Sequence, residues 1–123
     1  MDPQHRHFME VAWEALEDSG CVPIQYDGEI GVYAGQGENA YYLDNLYNNK
    51  KFHKSLGEYQ IKINNYKDFL TTKVSYRLNL HGPSLSIQTA CSTSLVAIHV
   101  AIQQLLAGDC DIAIAGGSFY CPA

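Results

Sequence analysis

The sequence lacks several features that would settle a function class at once. It has no CxxC pair. Its four cysteines stand at 21, 91, 110 and 121, and no histidine lies at zinc-ligand spacing from any of them. No structural metal site is expected from that pattern, and in the cytosolic context the sequence suggests, no disulfide either. Basic charge is not in excess. The net charge is −5, whereas a nucleic-acid partner needs a basic surface, so no nucleic acid is expected as a partner. The longest apolar stretches are interrupted by His, Gln or Asp. A membrane span takes about 20 apolar residues, so no membrane is expected either. Met1-Asp2-Pro3-Gln4-His5-Arg6 opens no apolar h-region, and no signal peptide is expected. Repeats and low-complexity tracts are absent.

What remains is 123 residues, 46% hydrophobic and 17% charged, room for one domain with a core. The charge is uneven. Residues 1–49 hold nine acidic residues against Arg6 alone, and 50–77 hold seven basic against two acidic. The basic middle reads as a solvated loop face. After Arg77 there is no lysine or arginine, and only Asp109 and Asp111 carry charge. That last third reads as core or interface.

Asp2-Pro3 suits a helix start, with Asp as N-cap and Pro at the first helical position. Phe8, Val11, Ala12, Ala15 and Ser19 recur at helical spacing, flanked by Met9, Trp13 and Leu16, so a helix is expected over 3–18, ended by Ser19-Gly20. Glu29 to Ala34 reads as a strand stopped by Gly35-Gln36-Gly37. Residues 36–66, rich in Tyr, Asn and Lys, read as a variable surface excursion, with one helical stretch over Ala40 to Tyr47. Tyr41, Tyr42 and Tyr47 are expected in a packed aromatic cluster under it. Asp68 to Leu78 is helical in spacing and is broken by Asn79-Leu80-His81-Gly82-Pro83. Ser84 to Gln88 alternates as a strand does. Ser92 to Ala107 is apolar on most faces, which marks a buried helix. Ile112 to Ala115 is a short strand closed by Gly116-Gly117. Strand, helix, strand at this spacing is a right-handed βαβ unit with a parallel strand pair. The fold class is therefore α/β.

Thr89-Ala90-Cys91-Ser92-Thr93-Ser94 lies at the junction of strand and helix, where α/β folds place their sites. Cys91 is expected in the first helical turn. There the open N–H groups and the helix dipole favour an anion, hence a thiolate. Its own N–H would help hold an oxyanion on an acyl group bonded to its sulfur. Small residues at 90, 92 and 94 keep the approach open. From this geometry alone two readings stand: a nucleophile, or a small packed residue at a helix start.

Other candidates are weaker. His99 lies eight residues past Cys91, about 12 Å along the same helix at 1.5 Å per residue, too far to act as its base; it reads as a packed or partly buried residue. His5 and His7 read as an exposed helix start that shares no face. His53 and His81 read as loop residues. Gly35-Gln36-Gly37 lacks the third glycine of a phosphate loop. Cys110 and Cys121 read as packing residues.

Thr89-Ala90-Cys91-Ser92-Thr93-Ser94-Leu95-Val96-Ala97, preceded by Gly82-Pro83-Ser84, resembles the active-site stretch of β-ketoacyl synthase (ketosynthase) domains, above all those of modular polyketide synthases. Met1-Asp2-Pro3-Gln4-His5-Arg6, Val11-Ala12-Trp13-Glu14-Ala15-Leu16-Glu17-Asp18-Ser19-Gly20, Asp68-Phe69-Leu70, Val74-Ser75-Tyr76-Arg77-Leu78-Asn79-Leu80 and Gly108-Asp109-Cys110-Asp111 through Gly116-Gly117 resemble it as well. The likeness is strong over 1–34 and 66–118 and weak over 36–65.

The resemblance implies a thiolase-like fold, a mixed sheet with a buried helix after the nucleophile, a homodimer, and an interface strand at Leu85 to Thr89. It implies that Cys91 accepts an acyl chain, and that decarboxylative Claisen condensation with a malonyl-type extender follows. Substrates arrive on the phosphopantetheine of acyl carrier protein, with no cofactor bound directly, and neighbouring synthase domains are further partners. The family's two later catalytic histidines, in His-Gly-Thr-Gly-Thr and Asn-x-Gly-His segments, have no counterpart in these 123 residues, nor has its first strand. The chain thus resembles part of the N-terminal half of a cytoplasmic ketosynthase, inactive and aggregation-prone by itself. The alternatives are a non-elongating, acyl-carrier-binding or scaffold ketosynthase-like domain, and a fatty-acid-type 3-oxoacyl-carrier-protein synthase.

Overall fold

The computed structural model describes residues 3–37 and 67–119. Expectations for Ala40 to Tyr47, the three tyrosines, His53, Cys121 and most of the 36–66 excursion fall outside the described residues.

Helix α1 (Pro3–Asp18) starts on the proline at its first position. Its buried residues are Gln4, His5, Phe8, Ala12 and Leu16, mostly an i, i+4 stripe. Val11 and Ala15, expected on that stripe, face outward. His5, expected at an exposed start, is 1% exposed. The reason is tertiary: the first turn of α1 lies against the ends of two strands, where Gln4 bonds to Gly37 and Ser118.

Strand β1 (Ile30–Gln36) is buried along its whole length. It runs through the glycine expected to stop it: Gly35 pairs with Gly117, and Gln36 with Ser118. A Cβ at position 35 would run into the Ile87 carbonyl and the Thr93 methyl, so this glycine marks a close approach of chains and not a strand end. A 3₁₀ turn (Lys67–Phe69) leads into α2 (Leu70–Leu78), which closes at Asn79 in the left-handed conformation, φ 57°. Strand β2 (Ser84–Ser86) is shorter than expected. A second 3₁₀ turn (Ala90–Ser92) precedes α3 (Thr93–Ala107), and β3 (Ile112–Ser118) continues through Gly116-Gly117.

The sheet order is β2-β1-β3, all parallel. One expectation is corrected here. The strands of the βαβ unit do not pair with each other, because β1 lies between them. The three described strands are parallel to one another. The parallel order brings all three carboxyl ends to one edge.

Period-two alternation sorts the strand residues between two faces. Ile30, Val32 and Ala34 join Phe8, Ala12, Leu16, Leu70, Val74 and Leu80 in one core, with Ile112 and Ile114 against it. Tyr33, Ala97, Ala101 and Cys110 form the second, with Ala113 and Ala115. Helices α1 and α2 therefore cover one face and α3 the other.

Helix α3 is not buried all round. Only Ala97 and Ala101 are buried, while Leu95 and Leu106 are 73% and 80% exposed. A sheet covers one face of a helix, and nothing else among the described residues lies on the rest. The stretch Ala90–Ala107 is also long and apolar enough to cross a membrane by length and composition, contrary to expectation. Its polar members are Cys, Ser, Thr, His and Gln, with no Asp, Glu, Lys or Arg among them, so they interrupt the apolar run without removing its character.

Candidate active site

The carboxyl edge of the sheet opens into a cleft of about 790 Å³. Each strand end lines it: Gln36 and Gly37 at the end of β1, Gln88 after β2, and Ser118 and Phe119 at the end of β3. Cys91 lines it too, and its thiol is free and exposed. This is the position in which open α/β sheets hold their ligands.

Cys91 sits in the 3₁₀ turn, just ahead of α3 and not within its first α-helical turn. The turn runs directly into the helix. The sulfur-bearing residue therefore stays at the helix N-terminus, where the dipole favours an anion.

Hydroxyl groups hold the turn. Thr89 N–H donates to Thr93 Oγ1 at 3.0 Å, and Thr93 Oγ1 donates to the Ala90 carbonyl at 2.8 Å. Ser92 Oγ donates to the Thr89 carbonyl at 2.7 Å and lies 3.0 Å from Thr89 Oγ1. Each such bond contributes about 1 kcal/mol net. Together they hold Ala90 at φ 54°, left-handed for a residue with a Cβ. Such a conformation costs on the order of 1–3 kcal/mol and persists only where its surroundings impose it. The strain lies next to the thiol. Among the described non-glycine residues, only Asn79 also has positive φ, and there it ends a helix.

The remaining candidates separate from this site. His99 and His81 are exposed, so His99 is not the packed residue expected. His7 lies 3.7 Å from Glu10 on α1. No group of three metal-ligating side chains occurs among the described residues. Cys110 is a packing residue, as expected: it is buried, and Tyr33 Oη donates to its sulfur at 3.6 Å. Burial, reinforced by the bond to Cys110, pushes the Tyr33 phenol well above its ordinary value.

The strand–helix junction at Cys91 was legible in the sequence, and the side chains that brace this edge of the sheet were not. The threonines and serine at 89, 92 and 93 carried a signal, since Ser and Thr three residues apart at a helix start bond back to the chain. Gln4 and Gln88 carried none, because their partners are distant backbone groups.

The chain matches the family model "Beta-ketoacyl synthase, N-terminal domain" over residues 1–121. It is 47% identical over 127 residues to a phenolphthiocerol/phthiocerol polyketide synthase polypeptide of Mycobacterium tuberculosis, covering 98% of this chain and 8% of that protein. It is 42% identical over 118 residues to pikromycin polyketide synthase component PikAII of Streptomyces venezuelae, covering 95% and 3%. Ketosynthase twelve of the bacillaene polyketide synthase of Bacillus amyloliquefaciens superposes with a TM-score of 0.88 at 29% identity, over 100% of this chain and 21% of that one. The module 6 ketosynthase of the bacillaene synthase of Bacillus subtilis 168 gives 0.76 at 34% identity, over 99% and 19%. The chain thus spans about a fifth of these ketosynthase structures and under a tenth of the synthases. With the thiol-bearing turn at the carboxyl edge of a parallel sheet, these matches show that the chain belongs to the β-ketoacyl synthase family, as part of a polyketide synthase ketosynthase domain of thiolase-like fold.

Proposed function

We propose that, in the complete domain, Cys91 accepts an acyl chain from the phosphopantetheine thioester of an acyl carrier protein. The observation that carries this reading is the exposed Cys91 thiol, held in a strained, hydroxyl-braced turn and opening into the cleft. The thiolate attacks the thioester carbonyl carbon, and the carbonyl electron pair moves to oxygen. Collapse of that intermediate expels the carrier thiolate, which takes up a proton. The N-terminus of α3 lies where negative charge develops.

Condensation then follows. A malonyl-type extender loses carbon dioxide, and the electron pair of the broken C–C bond attacks the acyl carbonyl. Cys91 leaves as thiolate, and the chain is two backbone carbons longer. The two family histidine segments that serve decarboxylation are not in these 123 residues, so this reading assigns condensation to the parent domain and inactivity to the chain alone. Acyl carrier protein, a second copy of the domain and neighbouring synthase domains are the partners it implies, in the cytoplasm. The packing of Ala97 and Ala101 against Tyr33 supports placing α3 on a protein core and not in lipid.

The test treats the complete domain with an acyl-thioester donor and maps the adduct by peptide mass spectrometry. Cys91 is expected to carry it. An adduct at Cys21, Cys110 or Cys121 with Cys91 unlabelled overturns the assignment. Acylation of Cys91 without condensation on malonyl-carrier protein would instead assign the parent to the non-elongating, acyl-carrier-binding class.

A further inference from the structure

The end of β1 forms one wall of the cleft, and its backbone is held by side chains where the neighbouring strands give out. Alternate residues of β1 bond to opposite sides. Val32 N–H donates to the Pro83 carbonyl, and Ile87 N–H to the Ala34 carbonyl, so 32, 34 and 36 face β2. Strand β2 stops at Ser86, two residues before Gln88. The side-chain amide of Gln88 takes the place of a further strand residue. With the amide turned to the orientation that pairs donor with acceptor, its nitrogen donates to the Gln36 carbonyl at 2.9 Å, and its oxygen accepts from Gln36 N–H at 3.2 Å.

Gly37 is held on the opposite side. Its N–H donates to the Ser118 carbonyl at 2.9 Å and to Gln4 Oε1 at 2.9 Å, and Gln4 Nε2 donates to the Gly37 carbonyl at 3.4 Å. Gln4 is 1% exposed, and Ser118 Oγ donates to its backbone carbonyl at 3.3 Å. The Phe119 ring lies on Gly37, where a Cβ would come within 2.5 Å of it. Two amides thus hold the strand end on which the Phe119 ring, itself 76% exposed, rests in the same cleft as Cys91.

We propose that Gln4 and Gln88 are positioning residues that fix the end of β1, with Phe119 resting on it, as the wall against which the acyl chain on Cys91 lies. This rests on the reading of Cys91 as acyl acceptor. A two-carbon acyl group stays near the sulfur, whereas a longer chain runs along the cleft and meets the wall. The two amides therefore set preference among chains more than thiol reactivity.

The experiment uses the complete ketosynthase domain and its Gln4→Met and Gln88→Met variants, which keep side-chain length and lose both amide bonds. Acetyl and decanoyl N-acetylcysteamine thioesters are the acyl donors, with adducts mapped to Cys91. Iodoacetamide alkylation of Cys91 reports reactivity alone. The decanoyl KM is expected to rise about tenfold, the loss typical of a shifted positioning contact, with acetyl kinetics and alkylation changed less than about twofold. Equal loss on all three probes overturns the proposal, since it assigns the amides to general folding. Unchanged chain preference in a folded variant overturns it too. If Gln4→Met does not fold, the exposed Gln88→Met decides alone. Absence of an adduct on Cys91 in the unsubstituted domain sinks the parent reading and this inference together; an adduct with unaltered preference sinks only this inference.

Discussion

The two faces of the sheet are built differently. On the α1–α2 side, Phe8, Leu16, Ile30, Val32, Leu70 and Val74 close over one another, and each is at most 7% exposed. On the α3 side, the buried core is Tyr33, Cys110 and two alanines, while Leu95, Ile98, Ile102, Leu105 and Leu106 are all at least 40% exposed. The helices differ to match: α1 carries charge on its outer face, and α3 carries none. A polar outer face belongs to a helix that ends against water. An apolar one belongs to a helix that more protein covers. The α1–α2 side thus has a closed core, with Val11, Trp13 and Tyr76 exposed outside it, and the α3 side among these residues stays open.

The largest expected effect tests that difference directly. Leu70→Ala should destabilise the complete domain by about 2–5 kcal/mol, measured by urea unfolding, because it opens a cavity in the closed core. Leu106→Lys should act in opposite directions in the two settings. In the complete domain it should lower Tm, and in the 123-residue chain it should reduce sedimenting aggregate. If it lowers Tm no more than a typical surface change, about 0.5 kcal/mol, α3 is not covered in the complete domain and the contrast fails.

A smaller effect concerns the polar pair of the α3 side. Tyr33→Phe removes the hydrogen bond to Cys110 and should cost about 1 kcal/mol near neutral pH. It should also change the alkaline limb of stability. The folded phenol titrates above its unfolded value near 10, so its contribution is complete below that pH. It is lost as pH rises beyond about 10, because there the unfolded chain releases the proton first. The domain carrying Tyr33→Phe should therefore lose less stability above about pH 10 than the unsubstituted domain. Equal alkaline losses in the two proteins would show that Tyr33 is not buried as described.

The smallest effect lies at the start of α3. Ala90→Gly relieves the left-handed strain but adds freedom to the unfolded chain, so Tm should stay level or rise by the equivalent of about 1 kcal/mol at most. The informative readout is acylation of Cys91, which should slow as the turn loosens. A marked fall in Tm would mean that the surroundings do not impose the turn.

The local elements and the strand–helix position of Cys91 were legible because each rests on near-neighbour physics. Helical spacing from Phe8 to Leu16, the Asn79–Pro83 break, and a cysteine between a strand and a helix are properties of short stretches. The errors came where distant chain decided. Gly35 and Gly116-Gly117 read as stops, yet they lie inside strands; Gly35 and Gly117 answer a close approach by Ile87 and Ser94, whereas a Cβ at Gly116 would make only ordinary contact with Phe8. His5 read as exposed, yet it is buried because the α1 start meets two strand ends.

By itself, the sequence determined an α/β chain, the place of Cys91 at a strand–helix junction, and its kinship with ketosynthases. These follow from periodicity and from motifs in order. Only the tertiary structure decided that β1 separates β2 from β3, that three strand ends share one cleft with the thiol, and that the amides of Gln4 and Gln88 complete the backbone of its wall. Those facts depend on strand order and register, and long-range pairing leaves no period in the residues that make it.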